Sequence, residues 1–259
     1  MTTTGVLVCG HGSRDVEAIK EFEILVHALT DLFPEYHVKH GYLEFAQPTI
    51  QDGLNTLRDL GVDRFLAVPG MLFAGGHVKK DVPAILNAVA SQHKDISIQF
   101  GRELGVDSKL LLAAADRIHT AEANAPNRIP RDKTLLMVVG RGAANSDASE
   151  TNDNVVSICR MLSQDMGFAK GAVCYAGVAD PLIEPGLKHA AALGFRRIIV
   201  FSYLLFTGVL INRIYSTIDQ VAAEFPTVEF LKAQYLGPHP KVIETFADRI
   251  RSLTDGNNA

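Results

Sequence analysis

Four short apolar runs mark the first half of the chain, at 6–9, 38–43, 65–68 and 96–100. Each is followed by a longer amphipathic stretch, at 15–32, 48–60, 78–92 and 107–121. The runs are apolar at successive positions, as in strands buried on both faces of a parallel sheet. The longer stretches repeat their apolar residues at helical spacing. Asp15 stands where the first helix should be capped. Strand and helix in alternation predict an α/β domain, a parallel sheet with helices on both faces. Residues 121–132 carry two prolines and no apolar period, and predict a linker.

After the linker the pattern starts again. An apolar run at 135–139 is followed by Gly140-Arg141-Gly142, as the first run is followed by Gly10-His11-Gly12. Tyr175 to Pro181 answers Tyr42 to Pro48, and Leu205-Phe206-Thr207-Gly208 answers Leu72-Phe73-Ala74-Gly75. Ala247-Asp248-Arg249-Ile250 repeats Ala115-Asp116-Arg117-Ile118 without change. A repeat of roughly 130 residues predicts two similar parallel-sheet βα domains, 1–121 and 133–259, facing a central cleft. Such a chain reads as a fused symmetric dimer, so a monomer with an internal pseudo-dimer is expected.

Composition adds little to the fold but restricts function. The chain has 259 residues, 47% hydrophobic and 21% charged, as in soluble globular proteins. Its net charge of −4 argues against a general nucleic-acid binder. No apolar run approaches the roughly 20 residues of a membrane span, and no signal-like start is present, so a cytoplasmic protein is expected. Cys9, Cys159 and Cys174 have no C-x-x-C spacing and are expected to be reduced thiols.

The repeat also isolates the chemistry. The halves share glycines, prolines and apolar positions but differ at three reactive ones. His11 is answered by Arg141, Glu44 by Gly177 and His77 by Leu210. Each of the three follows a predicted strand, at the sheet edge where open α/β sheets bind ligands. Two neutral imidazoles can hold a borderline divalent metal such as Co, Ni, Fe or Zn. A carboxylate beside them can take protons or complete the coordination. The first domain is therefore expected to carry the active site and the second to lack the metal-binding residues. The loop holding Met71, Leu72, Phe73, Ala74, Gly75 and Gly76 is Gly-rich and apolar and suits a flat, hydrophobic macrocycle. Met71 and Phe73, taken individually, are expected to bury the sheet edge. Arg14, Lys79 and Lys80 have the charge to pair with substrate carboxylates. The other histidines, His40 among them, have no convergent spacing and read as surface or core residues.

Three motifs carry a resemblance. Gly10-His11-Gly12-Ser13-Arg14, Leu43-Glu44-Phe45-Ala46-Gln47-Pro48 and Phe73-Ala74-Gly75-Gly76-His77, with Asp81 and Pro83, resemble the class II tetrapyrrole chelatases. Within them the chain is most similar to the sirohydrochlorin cobaltochelatases of the CbiX type and the related sirohydrochlorin ferrochelatases. The resemblance implies insertion of a metal without ATP, Co2+ before Fe2+ or Ni2+, into sirohydrochlorin or a related tetrapyrrole of cobalamin biosynthesis. It implies that His11 and His77 hold the incoming metal, and that Glu44 helps bind it or removes pyrrole protons. The metal is then substrate, and no permanently bound cofactor is expected. The chain lacks the Cys- or His-rich tail that would suggest an iron–sulfur cluster. A ferrochelatase for siroheme and a non-catalytic metal or tetrapyrrole carrier are the alternatives. A histidine phosphatase fits less well, because Gly10 rather than Arg precedes His11 and the repeat has no place in it.

Overall fold

The computed structural model describes residues 2–143 and 148–255, so the last residues of the expected second domain, 256–259, lie outside the described residues. In the first half β1 (Thr4–Gly10), β2 (His37–Tyr42), β3 (Arg64–Gly70) and β4 (Ser97–Phe100) alternate with α1 (Val16–Leu32), α2 (Ile50–Asp59) and α3 (Val82–Gln92). After β4 comes α4 (Ser108–Ala123). The second half repeats this with β5 (Thr134–Gly140), β6 (Lys170–Tyr175), β7 (Arg197–Ser202) and β8 (Glu229–Ala233). Its helices are α5 (Ala148–Asp165), α6 (Ile183–Ala191), α7 (Val209–Glu224) and α8 (Pro240–Thr254). All strand pairs are parallel, in the orders β2-β1-β3-β4 and β6-β5-β7-β8. Two four-stranded parallel sheets with alternating helices are the predicted fold class.

The local signals act as expected. Asp15 caps α1, its carboxylate accepting from the Glu17 and Ala18 N–H groups. Thr49 and Asp52 form a capping box on α2. In β1 every residue from Val6 to Cys9 is fully buried, which places that strand at the centre of its sheet. Leu7 and Cys9 point to a core shared with Leu54, Leu57, Phe65 and Val82.

The two compact units do not follow the domain boundaries expected from the linker. Among the described residues the first comprises those of 2–107 and 238–255, and the second those of 108–237. So α8 completes the first unit, packing on β3 and α1, and α4 completes the second, packing on β7 and β8. The Arg249 Nε on α8 donates to the Glu103 carbonyl at 3.0 Å, and its Nη2 reaches the Leu104 carbonyl and the Asp107 carboxylate. Arg64 on β3 donates to the Leu253 carbonyl of the same helix at 3.2 Å. Arg117, the equivalent of Arg249, sits on α4 and donates to the Leu236 carbonyl and Gln234 in the second unit. Each closing helix thus comes from the other half of the sequence. The helical period shows which face of a helix is buried but not which sheet it covers.

Candidate metal centre

His11, Glu44 and His77 stand in the loops after β1, β2 and β3, all within the first unit. The loop after β2 is tied to the loop after β1 by backbone hydrogen bonds. The Leu43 and Glu44 N–H groups donate to the Gly10 and His11 carbonyls at 2.9 and 3.0 Å. Gly12 makes this approach possible, for it has φ of 93°, and a Cβ there would lie 1.8 Å from the Glu44 carbonyl oxygen. Only glycine combines that backbone conformation with that contact.

The three side chains converge. One ligand atom from each lies within 4.8 Å of the others, and all three residues are half-buried. The imidazoles of His11 and His77 meet edge to face, with ring centres 4.8 Å apart. His11 Nδ1 lies 3.1 Å from the Gly12 carbonyl, which can only accept, so Nδ1 carries the proton. In the neutral ring the Nε2 lone pair then faces Glu44 Oε1, 3.4 Å away. Two lone pairs opposed at that distance are brought into favourable contact by a cation, either a proton on Nε2 or a metal ion bound by both donors. His77 Nδ1 is likewise engaged, 2.7 Å from the Asp81 carboxylate. Among the described residues this is the one group of three or more metal-ligating side chains.

The second unit repeats the frame without the ligands. The Ala176 N–H donates to the Gly140 carbonyl at 2.9 Å. Gly142 has φ of 83°, and a Cβ there would meet the Gly177 carbonyl at 2.2 Å. Where His11 and Glu44 stand in the first unit, Arg141 and Gly177 stand here, and Leu210 takes the place of His77.

The loop Met71, Leu72, Phe73, Ala74, Gly75 and Gly76 is half-buried throughout. The Leu104 and Gly105 N–H groups donate to the Met71 and Leu72 carbonyls and fix its course. Met71 also packs on the core, the setting expected for it individually. Lys79 and Lys80 are exposed on the turn beyond His77, and Arg14 is exposed beside His11. The Arg14 guanidinium lies 4.8 Å above the Phe45 ring. Phe45 is 52% exposed, with φ of 65°, and its ring centre is 6.1 Å from that of His11. A bulky residue in the left-handed region is strained, and such strain clusters at ligand sites. Sequence reasoning gave Phe45 no role, and nothing in the sequence announces its backbone angle. It also gave Asp81 no role, although its spacing from His77 was legible as a helical neighbour. Burial pushes the thiols of Cys9, Cys159 and Cys174 up to about 12, so none is a thiolate at neutral pH.

Comparison with known proteins agrees with the fold. The CbiX family model matches residues 5–121 and again 135–253, once in each half. A sirohydrochlorin cobaltochelatase of Priestia megaterium is 30% identical over 97% of this chain and 80% of its own length. A sirohydrochlorin ferrochelatase of the same organism is 27% identical over 96% of this chain and 90% of its own. A solved structure of SirB from Bacillus subtilis with Fe3+ superposes with a TM-score of 0.84 at 24% identity, covering 99% of both chains. With both halves matched by the family model and a relative 30% identical aligned over 80% of its own length, this chain belongs to the CbiX family.

Proposed function

We propose that this protein is an ATP-independent sirohydrochlorin chelatase that inserts Co2+. The convergence of His11, Glu44 and His77 within 4.8 Å carries the proposal. Chelatase activity is the common ground of the cobalto- and ferrochelatase relatives. Cobalt is favoured by the cobaltochelatase of 30% identity, against 27% for the ferrochelatase, and imidazole ligands accept Co2+, Fe2+ and Ni2+ alike. A product of cobalt insertion would belong to cobalamin biosynthesis, a product of iron insertion to siroheme formation.

Insertion of a divalent metal into the free macrocycle forms bonds from metal to ring nitrogen and releases two pyrrole protons. His11 and His77 deliver the metal through Nε2. Glu44, whose side chain is 40% exposed, takes a pyrrole proton and passes it to solvent before taking the second. A triad open to solvent suits a metal in transit better than one stored. The half-buried loop from Met71 to Gly76 and the exposed Phe45 ring are the apolar surface for the flat macrocycle, and Arg14 the partner for its carboxylates. We take the protein to act as a cytoplasmic monomer, one copy holding one such triad. Among the described residues no helix is long and apolar enough to cross a membrane.

Absorbance assays of sirohydrochlorin with Co2+, Fe2+ and Ni2+ test the proposal. Faster metallation with Co2+ than without protein is expected. His11→Ala and His77→Ala should each reduce that rate about 100-fold, and Arg141→Ala should leave it unchanged. Glu44→Gln should slow insertion more than it weakens macrocycle binding. A wild-type rate no higher than the spontaneous one would reduce the protein to a carrier.

A further inference from the structure

Between Gly76 and α3 the chain forms a single π-turn, His77–Asp81, closed by the Val82 N–H donating to the His77 carbonyl. At the equivalent place in the second unit α7 runs as regular α-helix from Val209. The buried residues show what separates the two. In the first unit they are Val78, Val82, Leu86 and Val89, and in the second Ile211, Ile214, Ile218 and Val221. Val78 and Ile211 are 133 residues apart, whereas Val82 and Ile214, and both later pairs, are 132 apart. One residue is therefore present in the turn of the first unit that the second lacks. The π-turn absorbs it, so the core register beyond it is kept, as single-turn π-bulges at functional sites allow.

The extra residue separates core from site. Beyond it Asp81 matches Arg213, which in the second unit donates to the Ala176 carbonyl after β6. In the first unit the matching side chain bonds to His77 instead, Nδ1 to Oδ2 at 2.7 Å, with the Asp81 side chain 53% exposed. A carboxylate only accepts, so in the neutral ring the His77 proton sits on Nδ1 and the lone pair on Nε2. Outer partners of this kind fix the tautomer and ring orientation of a metal-binding histidine, and their loss weakens metal affinity about 10- to 100-fold.

We infer that Asp81, set by the one-residue π-turn, is a positioning residue that holds His77 in the Nδ1–H tautomer with Nε2 directed to the metal. This rests on His77 being a metal ligand. The test reads metal and ring directly, so a protein that binds Co2+ but inserts none would sink the proposed catalysis and leave Asp81 standing. Co2+ binding by titration calorimetry and the 15N spectrum of the labelled full chain at pH 8 are the measurements. In the wild type His77 should show a protonated Nδ1 and a bare Nε2. Asp81→Ala should shift the ring toward the Nε2–H form and weaken Co2+ binding at least 10-fold, while Asp81→Asn, still an acceptor, should recover most of the loss. The inference is overturned by a wild-type His77 already protonated on Nε2. It is equally overturned by an Asp81→Ala protein with unchanged tautomer and affinity within twofold of wild type. If the alanine variant does not fold, Asp81→Leu, of similar size and without an acceptor, takes its place with the same expected shift and loss.

Discussion

His11, Glu44 and His77 were legible at the residue scale because the second half served as an internal control that kept the frame and discarded the chemistry. Phe45 and Asp81 were not singled out by that comparison. The significance of Phe45 lies in a backbone angle, and that of Asp81 in one hydrogen bond, neither of which is a residue type. His40 is a different case, a histidine with no part in the triad. Its ring lies between Phe22 and Tyr42, at 5.7 and 5.2 Å, and its Nε2 is buried without a hydrogen-bond partner. Burial holds its pKa below the usual 6.5, with Lys39 acting the same way and Glu23 opposing both. The unfolded chain then binds this proton more readily than the folded one. Stability from this group is complete above about pH 6.5 and is lost as pH falls toward the lowered folded value. Urea midpoints measured from pH 7.5 to 5.5 should fall less steeply for His40→Phe than for wild type. Parallel curves would mean that His40 titrates alike in both states.

Strands and helices were nearly all legible as elements, since buried parallel strands and amphipathic helices leave different periods in the sequence. The turn ahead of α3 was not. The helix was expected from residue 78, whereas the chain makes a π-turn over His77–Asp81 before α3 begins at Val82. The one-residue change of offset between the halves was present in the sequence, but it emerges only when buried positions are matched. The assignment of α4 and α8 to sheets was also hidden, because the two helices share the motif Ala-Asp-Arg-Ile. Their arginines differ in setting. The Arg249 side chain is 7% exposed and bonds two carbonyls and Asp107, while Arg117 is half-buried and bonds Leu236 and Gln234. Breaking a buried pair costs about 3–5 kcal/mol, and losing a hydrogen bond at a wetter site about 1. Arg249→Ala should therefore lower unfolding free energy by about 3 kcal/mol and Arg117→Ala by about 1 kcal/mol. Equal losses in urea titrations would show that the buried bonds of α8 give it no stronger anchor than α4.

At the scale of the whole molecule, the exchange of α4 and α8 decides what each half can do alone. A chain of residues 1–126 holds the sheet from β1 to β4 and the complete triad, but lacks the helix that packs on β3 in the first unit. It carries α4, whose Arg117 matches Arg249, and it carries Leu104, which matches the Leu236 that Arg117 bonds. Two copies of this half can therefore each close the other's sheet with α4, by the contacts α4 and α8 make in the full chain. One copy cannot do so if its own α4 leaves the sheet as it does at residue 108. Exchange of an identical element is a low-cost route to a dimer. Residues 1–126 should sediment as a dimer, and its urea midpoint should rise with protein concentration, as folding linked to association requires. Each dimer should bind two Co2+ ions, one per triad, where the full chain binds one. Mixed with residues 127–259, it should form a 1:1 complex that again binds one. A folded monomer of 1–126, with a midpoint independent of concentration, would show that α4 can turn back onto its own sheet and that the exchange is not required for closure.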